Sequence, residues 1–187
     1  MKKTTKFLII IIIILLIYFL LFKIFKIDKV VMKKIYPLKY SEYVEKYSKE
    51  YKIDSYLVYA IIKAESNFKE NAESTSNAIG LMQIMKTTAF EMASKIDLSI
   101  QEKDLFNPDL NINIGLMYFR SLLDKYNNNI NLAIIAYNAG IGNVDKWIQD
   151  GVINGNGEDI ENVPFKETNN YARKILRDYD IYKKLYK

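Results

Sequence analysis

The sequence contains no cysteine and no histidine, and only three prolines and seven glycines in 187 residues. Without cysteine there is no disulfide, no thiol nucleophile, no thiolate metal site and no lipid-bearing N-terminal Cys. Without histidine there is no Ser-His-Asp triad, no HExxH zinc site and no imidazole proton shuttle. An enzyme built from this alphabet and working near neutral pH takes its acid-base group from a carboxylate of shifted pKa, with Lys and Tyr as the rarer options. Scarce Pro and Gly, beside abundant Ile, Leu, Lys and Tyr, favour helices over many short strands.

A dense basic cluster is also missing from most of the chain. The net charge is +5, but residues 1–34 hold eight lysines (positions 2, 3, 6, 23, 26, 29, 33 and 34) and one aspartate, Asp28. That segment carries +7 and leaves −2 for everything after it. The basic pI therefore comes from the N-terminus, and the remainder has no electrostatic footprint for nucleic acid. With half the residues apolar, a packed core is available and wholesale disorder is excluded.

Charged residues are absent from Phe7 to Phe22, and the apolar stretch runs to Phe25 with Lys23 as its one charge. Nineteen residues at 1.5 Å each give about 28 Å, close to the roughly 30 Å hydrocarbon core of a bilayer. The exit, Phe22-Lys23-Ile24-Phe25-Lys26, has no small-residue cleavage pattern, so residues 1–25 read as an uncleaved signal-anchor, contacting the membrane through 7–25. No face of the stretch is polar, which disfavours a buried core helix. Residues 26–39 read as a basic juxtamembrane linker ending near Pro37. A simple lysine count favours the following domain inside, yet a short basic N-terminus is also the form of an export signal, and long domains translocate largely regardless of charge.

From residue 40 to 187 the apolar spacing predicts one mainly helical domain. Helices are expected from Ser41 with Ser41 as N-cap, from an Asp54 cap to about Ser66, and from Thr87 or Thr88 to about Ile96. Others are expected from Asn107 to about Tyr126 with Pro108 at the first position, from Asn129 or Asn131 to Tyr137, from Val144 to about Gln149, and from Glu167 to Tyr186. Polar loops are expected at 70–80 and 150–163, with a hairpin or a simple loop at Gly151–Gly157.

Four segments carry candidate chemistry. In the second helix, Leu57, Ala60, Ile61 and Ala64 make an apolar face, and Glu65 lies about 90° from its centre, at the helix's C-terminal end. Desolvation there and the negative end of the helix dipole both raise a carboxyl pKa. Gly80-Leu81-Met82-Gln83-Ile84-Met85 follows a small-residue loop. Ala136-Tyr137-Asn138-Ala139-Gly140 ends a helix with side chains suited to a sugar cleft. Pro164 to Tyr171 opens the last helix. Each is ordinary in isolation: a surface Glu, a core or strand hexamer, a helix C-terminus, a helix with an acidic first turn.

Their order is not ordinary. Glu65-Ser66, then Gly80 to Gln83, then Asn111-Ile112 with Gly115 and Tyr118, then Ala136 to Gly140, then Glu167-Thr168 with Tyr171, together resemble the soluble lytic transglycosylase family over about residues 50 to 180. Lys86 and Asn169 depart from it, standing where the family often has Pro and Arg. The resemblance implies a lysozyme-like helical domain, here preceded by one transmembrane helix, that cleaves peptidoglycan glycan strands outside the cytoplasmic membrane. It implies Glu65 as the single catalytic acid and base, with Ser66, Met82, Gln83, Met85, Tyr137, Asn138, Glu167 and Tyr171 binding substrate or lining the cleft. It requires no metal or cofactor. Two rival readings stay open at this point. One is a muramidase in which a second carboxylate, such as Asp97, Asp104 or Asp109, orients water. The other is a non-catalytic glycan-binding module.

Overall fold

The computed structural model describes residues 3–25 and 27–187; Met1, Lys2 and Lys26, which belong to the expected anchor and linker, lie outside the described residues. The chain forms two units, Met1–Pro37 and Leu38–Lys187.

The first unit holds α1 (Lys3–Phe25) and α2 (Ile27–Ile35). Within α1 the window Thr5–Phe22 has a mean hydropathy of 2.9 and none of it is buried. It is long and apolar enough to cross a membrane by length and composition. The expected linker contains α2, nine residues of helix that no capping signal announces.

The second unit is built on α3 (Ser41–Tyr51), α4 (Ser55–Glu65), α5 (Lys86–Ser94), α6 (Pro108–Lys125), α7 (Ile130–Ala139), α8 (Ile141–Gln149) and α9 (Lys166–Tyr186). The side-chain caps fall where the sequence places them at three helices. Asp54 accepts from Tyr56 N at 2.9 Å, Asn107 accepts from Asp109 N and Leu110 N, and Asn129 accepts from Leu132 N at 3.0 Å. At α3 the sequence expectation is corrected. Tyr40, left-handed at φ 57°, precedes the helix without a side-chain cap, and Ser41 is the first helical residue.

The helix α4 is buried over Leu57, Val58, Tyr59, Ala60, Ile61 and Ile62, more widely than the single face expected. It packs against both α3 and α9, and a helix enclosed on two sides can afford no polar face. Along α9 the buried residues Thr168, Ala172, Ile175, Asp178 and Tyr182 recur every three or four positions. Asp178 is fully buried and is met by Lys63 of α4 at 3.0 Å and by its neighbour Arg177 at 3.0 Å. A charge buried in this way persists only when paired, so the ion pair fixes α9 against α4.

A two-stranded antiparallel ribbon, β1 (Ala78–Ile79) and β2 (Ile84–Met85), pairs Ala78 with Met85 and Ile79 with Ile84. The connecting turn needs Gly80 at φ 78°, and a Cβ there would lie 2.6 Å from the Leu105 carbonyl oxygen. Residues 151–157 form a loop, held by side-chain amides: Asn131 Nδ2 donates to Gly157 O at 2.8 Å and Asn129 Nδ2 donates to Asn156 O. The helix α8 starts three residues earlier than expected, because Gly140 at φ 85° ends α7 and begins α8 directly.

Candidate active site

Glu65 is the last residue of α4, and the chain stops being helical immediately after it. Asn67 and Phe68 are both left-handed, at φ 50° and 62°, a conformation that costs energy for residues other than glycine and is held here by burial of Phe68. Ser66, also buried, donates its hydroxyl to Leu81 O at 2.8 Å and to Ile62 O at 3.3 Å. The helix end is thereby pinned to the turn between the two strands.

That turn is itself fixed from behind. Asn111, fully buried on α6, accepts from Met82 N at 2.8 Å and donates to Ile79 O at 2.9 Å and Leu105 O at 2.8 Å. Gly115, one turn further along α6, leaves room for Met82; a Cβ there would overlap the Met82 sulfur. The Met82 carbonyl, so positioned, accepts from Tyr137 of α7 at 2.8 Å.

Glu65 is partly enclosed, with a little of its surface open. Tyr171, from the second turn of α9, donates its hydroxyl to Glu65 Oε1. Lys174, one turn later, donates to the Ala64 carbonyl at 3.3 Å and so places its ammonium at the end of α4 beside Glu65. Burial pushes the Glu65 carboxyl from its ordinary 4.5 up to about 7, against the opposing pull of the Tyr171 hydrogen bond and the Lys174 charge. Burial, then the nearby Glu65 charge, holds the hydroxyls of Tyr137 and Tyr171 well above the ordinary tyrosine value. Both therefore remain donors throughout the working range.

A cleft of about 340 Å³ opens beside this cluster, lined by Gln83, Met85, Thr88, Tyr118, Tyr137 and Asn138 among others. A larger groove of about 430 Å³ lies along Tyr40 and Phe68 to Ala72. Chemistry selects the smaller one, because Tyr137 is shared between it and the surroundings of Glu65.

The residues expected from the sequence separate by position. Gln83, Met85, Tyr137 and Asn138 face the cleft. Gln83 spends its Nε2 on Ala72 O and Gly80 O, which leaves its oxygen as the acceptor it can offer. Asn138 accepts from Thr168 at 2.6 Å, which leaves its NH₂ free to donate outward. Ser66 and Met82 are buried and form the wall behind the cleft. Neither is among the residues lining the cleft: Ser66 has committed its hydroxyl to Leu81 O, and Met82 is closed in by Gly115, at the back of the cleft. Glu167 is exposed in the first turn of α9 and is not among the residues lining the cleft.

Lys174, Asn111, Thr168 and Tyr118 complete the site and were not singled out for it by sequence. Asn111, Thr168 and Tyr118 belong to the recurring segments that signalled the family. Lys174 carries one signal, its i+3 spacing from Tyr171. Of the two departures, Asn169 donates to Ile160 O at 2.7 Å and Lys86 pairs with Glu102.

Among the described residues, no second carboxylate figures among the groups that shift the Glu65 carboxyl. Asp104 accepts from Gln101 N at 2.8 Å in a 3-10 turn, Asp109 is held by Tyr47 at 2.9 Å, and Asp97 is exposed at φ 51°. Among the described residues, Lys174 is the charged group that bears on Glu65.

Known proteins are similar to this chain in sequence and in fold. The chain is 32% identical over 151 residues to the soluble lytic murein transglycosylase of Escherichia coli K12, covering 79% of this chain and 23% of that protein. It is 35% identical over 134 residues to the membrane-bound lytic murein transglycosylase C of Serratia proteamaculans, covering 63% of this chain and 37% of that protein. Among solved structures, the 70 kDa soluble lytic transglycosylase of Escherichia coli aligns with a TM-score of 0.74 at 29% identity, over 82% of this chain and 25% of that one. An inactive mutant of the lytic transglycosylase Slt from Pseudomonas aeruginosa aligns with a TM-score of 0.73 at 32% identity, over 80% of this chain and 24% of that one. The chain thus spans about a quarter of the length of the E. coli relative. The profile of the transglycosylase SLT domain matches residues 42–156, which include Glu65, the β1–β2 turn and Tyr137. The chain belongs to the transglycosylase SLT domain family.

Proposed function

We propose that this chain is a membrane-anchored lytic transglycosylase that cleaves the bond between N-acetylmuramic acid and N-acetylglucosamine in peptidoglycan, with Glu65 as acid and then base. The observation that carries the reading is the Glu65 carboxyl at the end of α4, held by the Tyr171 hydroxyl beside an open cleft, where burial raises its pKa to about 7. At that value the group is protonated often enough to donate and ionised readily enough to accept.

In the proposed sequence, protonated Glu65 gives its proton to the glycosidic oxygen as the C1–O bond breaks, and N-acetylglucosamine leaves as an alcohol. The substrate's own N-acetyl group steadies the cationic carbon. Glu65, now a carboxylate accepting from Tyr171, removes the proton of the muramoyl C6 hydroxyl, whose oxygen bonds to C1. The product ends in a 1,6-anhydro ring, no water is consumed, and Glu65 is again protonated. A hydrolytic muramidase needs a second carboxylate to orient water, and the positions of Asp97, Asp104 and Asp109 give that reading no support.

In this reading Gln83, Met85, Tyr137 and Asn138 touch the glycan, Tyr171 serves the carboxylate, and Ser66 and Met82 hold the wall. Glu167 sits at the entry to α9, one residue before the Thr168 that orients Asn138. Residues 1–25 serve as anchor, 26–39 as connection and 40–187 as catalytic domain, with that domain on the outer side, where the substrate is. The apolar window of α1 supports the anchor.

Digesting purified peptidoglycan with the full chain in detergent, and weighing the released fragments, tests the proposal. Fragments lighter by one water than hydrolysis products, with no new reducing ends, are expected. Hydrated fragments with reducing ends would replace it with the muramidase reading.

A further inference from the structure

The catalytic account makes no use of the pattern of α2. Only Lys26 separates it from the end of α1, and its nine residues measure about 13 Å. Beyond the hydrocarbon core, the headgroup layer on each side is about 5–8 Å deep. If α1 spans the membrane, as the proposed function has it, α2 starts inside that layer and reaches well past it only by standing upright.

Its sequence argues against standing upright. Val31 and Ile35 form one i, i+4 row, and Lys29 and Lys33 form another, about 160° away around the helix at 100° per residue. Val31 and Ile35 keep 48% and 50% of their surfaces exposed, so the row is open to an apolar environment. An upright helix gains nothing from such sidedness. A helix lying in the membrane plane needs it, because one side meets acyl chains and the other meets water and charge. Lys34, on the flank of the apolar row, can extend its ammonium to the headgroups while its methylenes stay low.

We infer that α2 lies flat in the outer membrane–water interface, its Val31–Ile35 row towards the acyl chains and its lysines on anionic phospholipid headgroups. This rests on the anchor reading of α1. Continuity with the span supplies the apolar side of the site. The lysines, against Asp28 as the helix's one acid, supply the preference for negative lipid.

The absence of cysteine from the chain makes a direct test available. Single variants Leu15→Cys, Lys29→Cys and Val31→Cys of the full chain are labelled with an environment-sensitive fluorophore. They are reconstituted in vesicles of phosphatidylcholine alone or mixed with phosphatidylglycerol, and acrylamide quenching is measured. The expected pattern is Leu15 shielded in both vesicles, Val31 shielded in the mixed vesicles, and Lys29 open to quencher. The combined Lys29→Gln, Lys33→Gln, Lys34→Gln substitution is expected to abolish the dependence of Val31 on lipid charge. Val31 as open as Lys29 in both vesicles, with Leu15 shielded, overturns the inference and leaves the anchor standing. Leu15 open to quencher removes the anchor, and the inference with it.

Discussion

The hydroxyl of Tyr171 donates to Glu65 Oε1 across the seam between α9 and α4, two residues 106 positions apart in sequence. The bond favours the ionised carboxylate, while burial disfavours it, and burial prevails. Tyr171→Phe removes the favourable contribution and leaves the ring in place. The loss of one hydrogen bond to a charged group, roughly 1.5 kcal/mol, corresponds to about one pH unit. The alkaline limb of the rate, which falls as Glu65 loses its proton near pH 7, is expected to move upward by that amount in a pH profile of glycan release. An unmoved limb would detach Tyr171 from the ionisation of Glu65.

Lys174 acts on the same group through charge instead of a shared proton. Lys174→Met is expected to raise the alkaline limb in the same direction, whereas Lys174→Arg retains the wild-type profile. Lys174→Met also gives up the hydrogen bond to the Ala64 carbonyl, so the melting curve of each variant is recorded beside its pH profile. Salt provides the second readout: screening should narrow the difference between wild type and Lys174→Met, and leave the Tyr171→Phe difference unaltered.

The raised proton affinity of Glu65 has a cost in stability. Below about pH 4.5 the group is protonated both folded and unfolded and contributes nothing. Between 4.5 and about 7 the unfolded chain releases the proton first, so the folded state loses stability as pH rises, and the loss is complete above about 7. The whole effect is at most about 3 kcal/mol. Glu65→Gln should therefore melt at a higher temperature than wild type at pH 8, with the gap closing towards pH 4. Equal melting temperatures at both pH values would mean that Glu65 is not held with a raised pKa.

The wall behind the cleft is predicted to be sensitive to single atoms. Asn111→Ala leaves the Met82 amide and two carbonyls unsatisfied in the interior, at a cost of about 3 kcal/mol or more. Gly115→Ala forces Met82 out of its place and costs about 1–3 kcal/mol. Urea unfolding measures both. Gly115→Ala should in addition weaken glycan binding, because the Met82 carbonyl carries Tyr137.

The legibility of these features in the sequence follows from their range. Asn107-Pro108 and Asp54 mark helix starts because a cap is a local device, and α6 and α4 begin where those residues stand. Steps of 100° per residue put Glu65 at the edge of a buried stripe, and that needs nothing beyond α4 itself. The start of α8 was hidden, since Ile141-Gly142-Asn143 offers no side-chain cap and only Val144 and Trp147 are buried in that helix. The breadth of burial on α4 depends on two partners, α3 and α9, that its own pattern cannot name. Lys174 was unreadable for the same reason. Its role exists only because α9 crosses α4 where Ala64 presents a free carbonyl, and the Lys63–Asp178 pair holds that crossing.

The most direct test of the central claim is the rate at which Glu65→Gln releases fragments from purified peptidoglycan, measured beside wild type with the melting curve of each as a control for folding. Glutamine keeps the shape and the hydrogen bond from Tyr171 but can neither donate nor accept the transferred proton. Loss of turnover to background, with cooperative melting retained, is the predicted result. More than a few per cent of the wild-type rate in the folded variant would contradict the assignment of acid and base to Glu65.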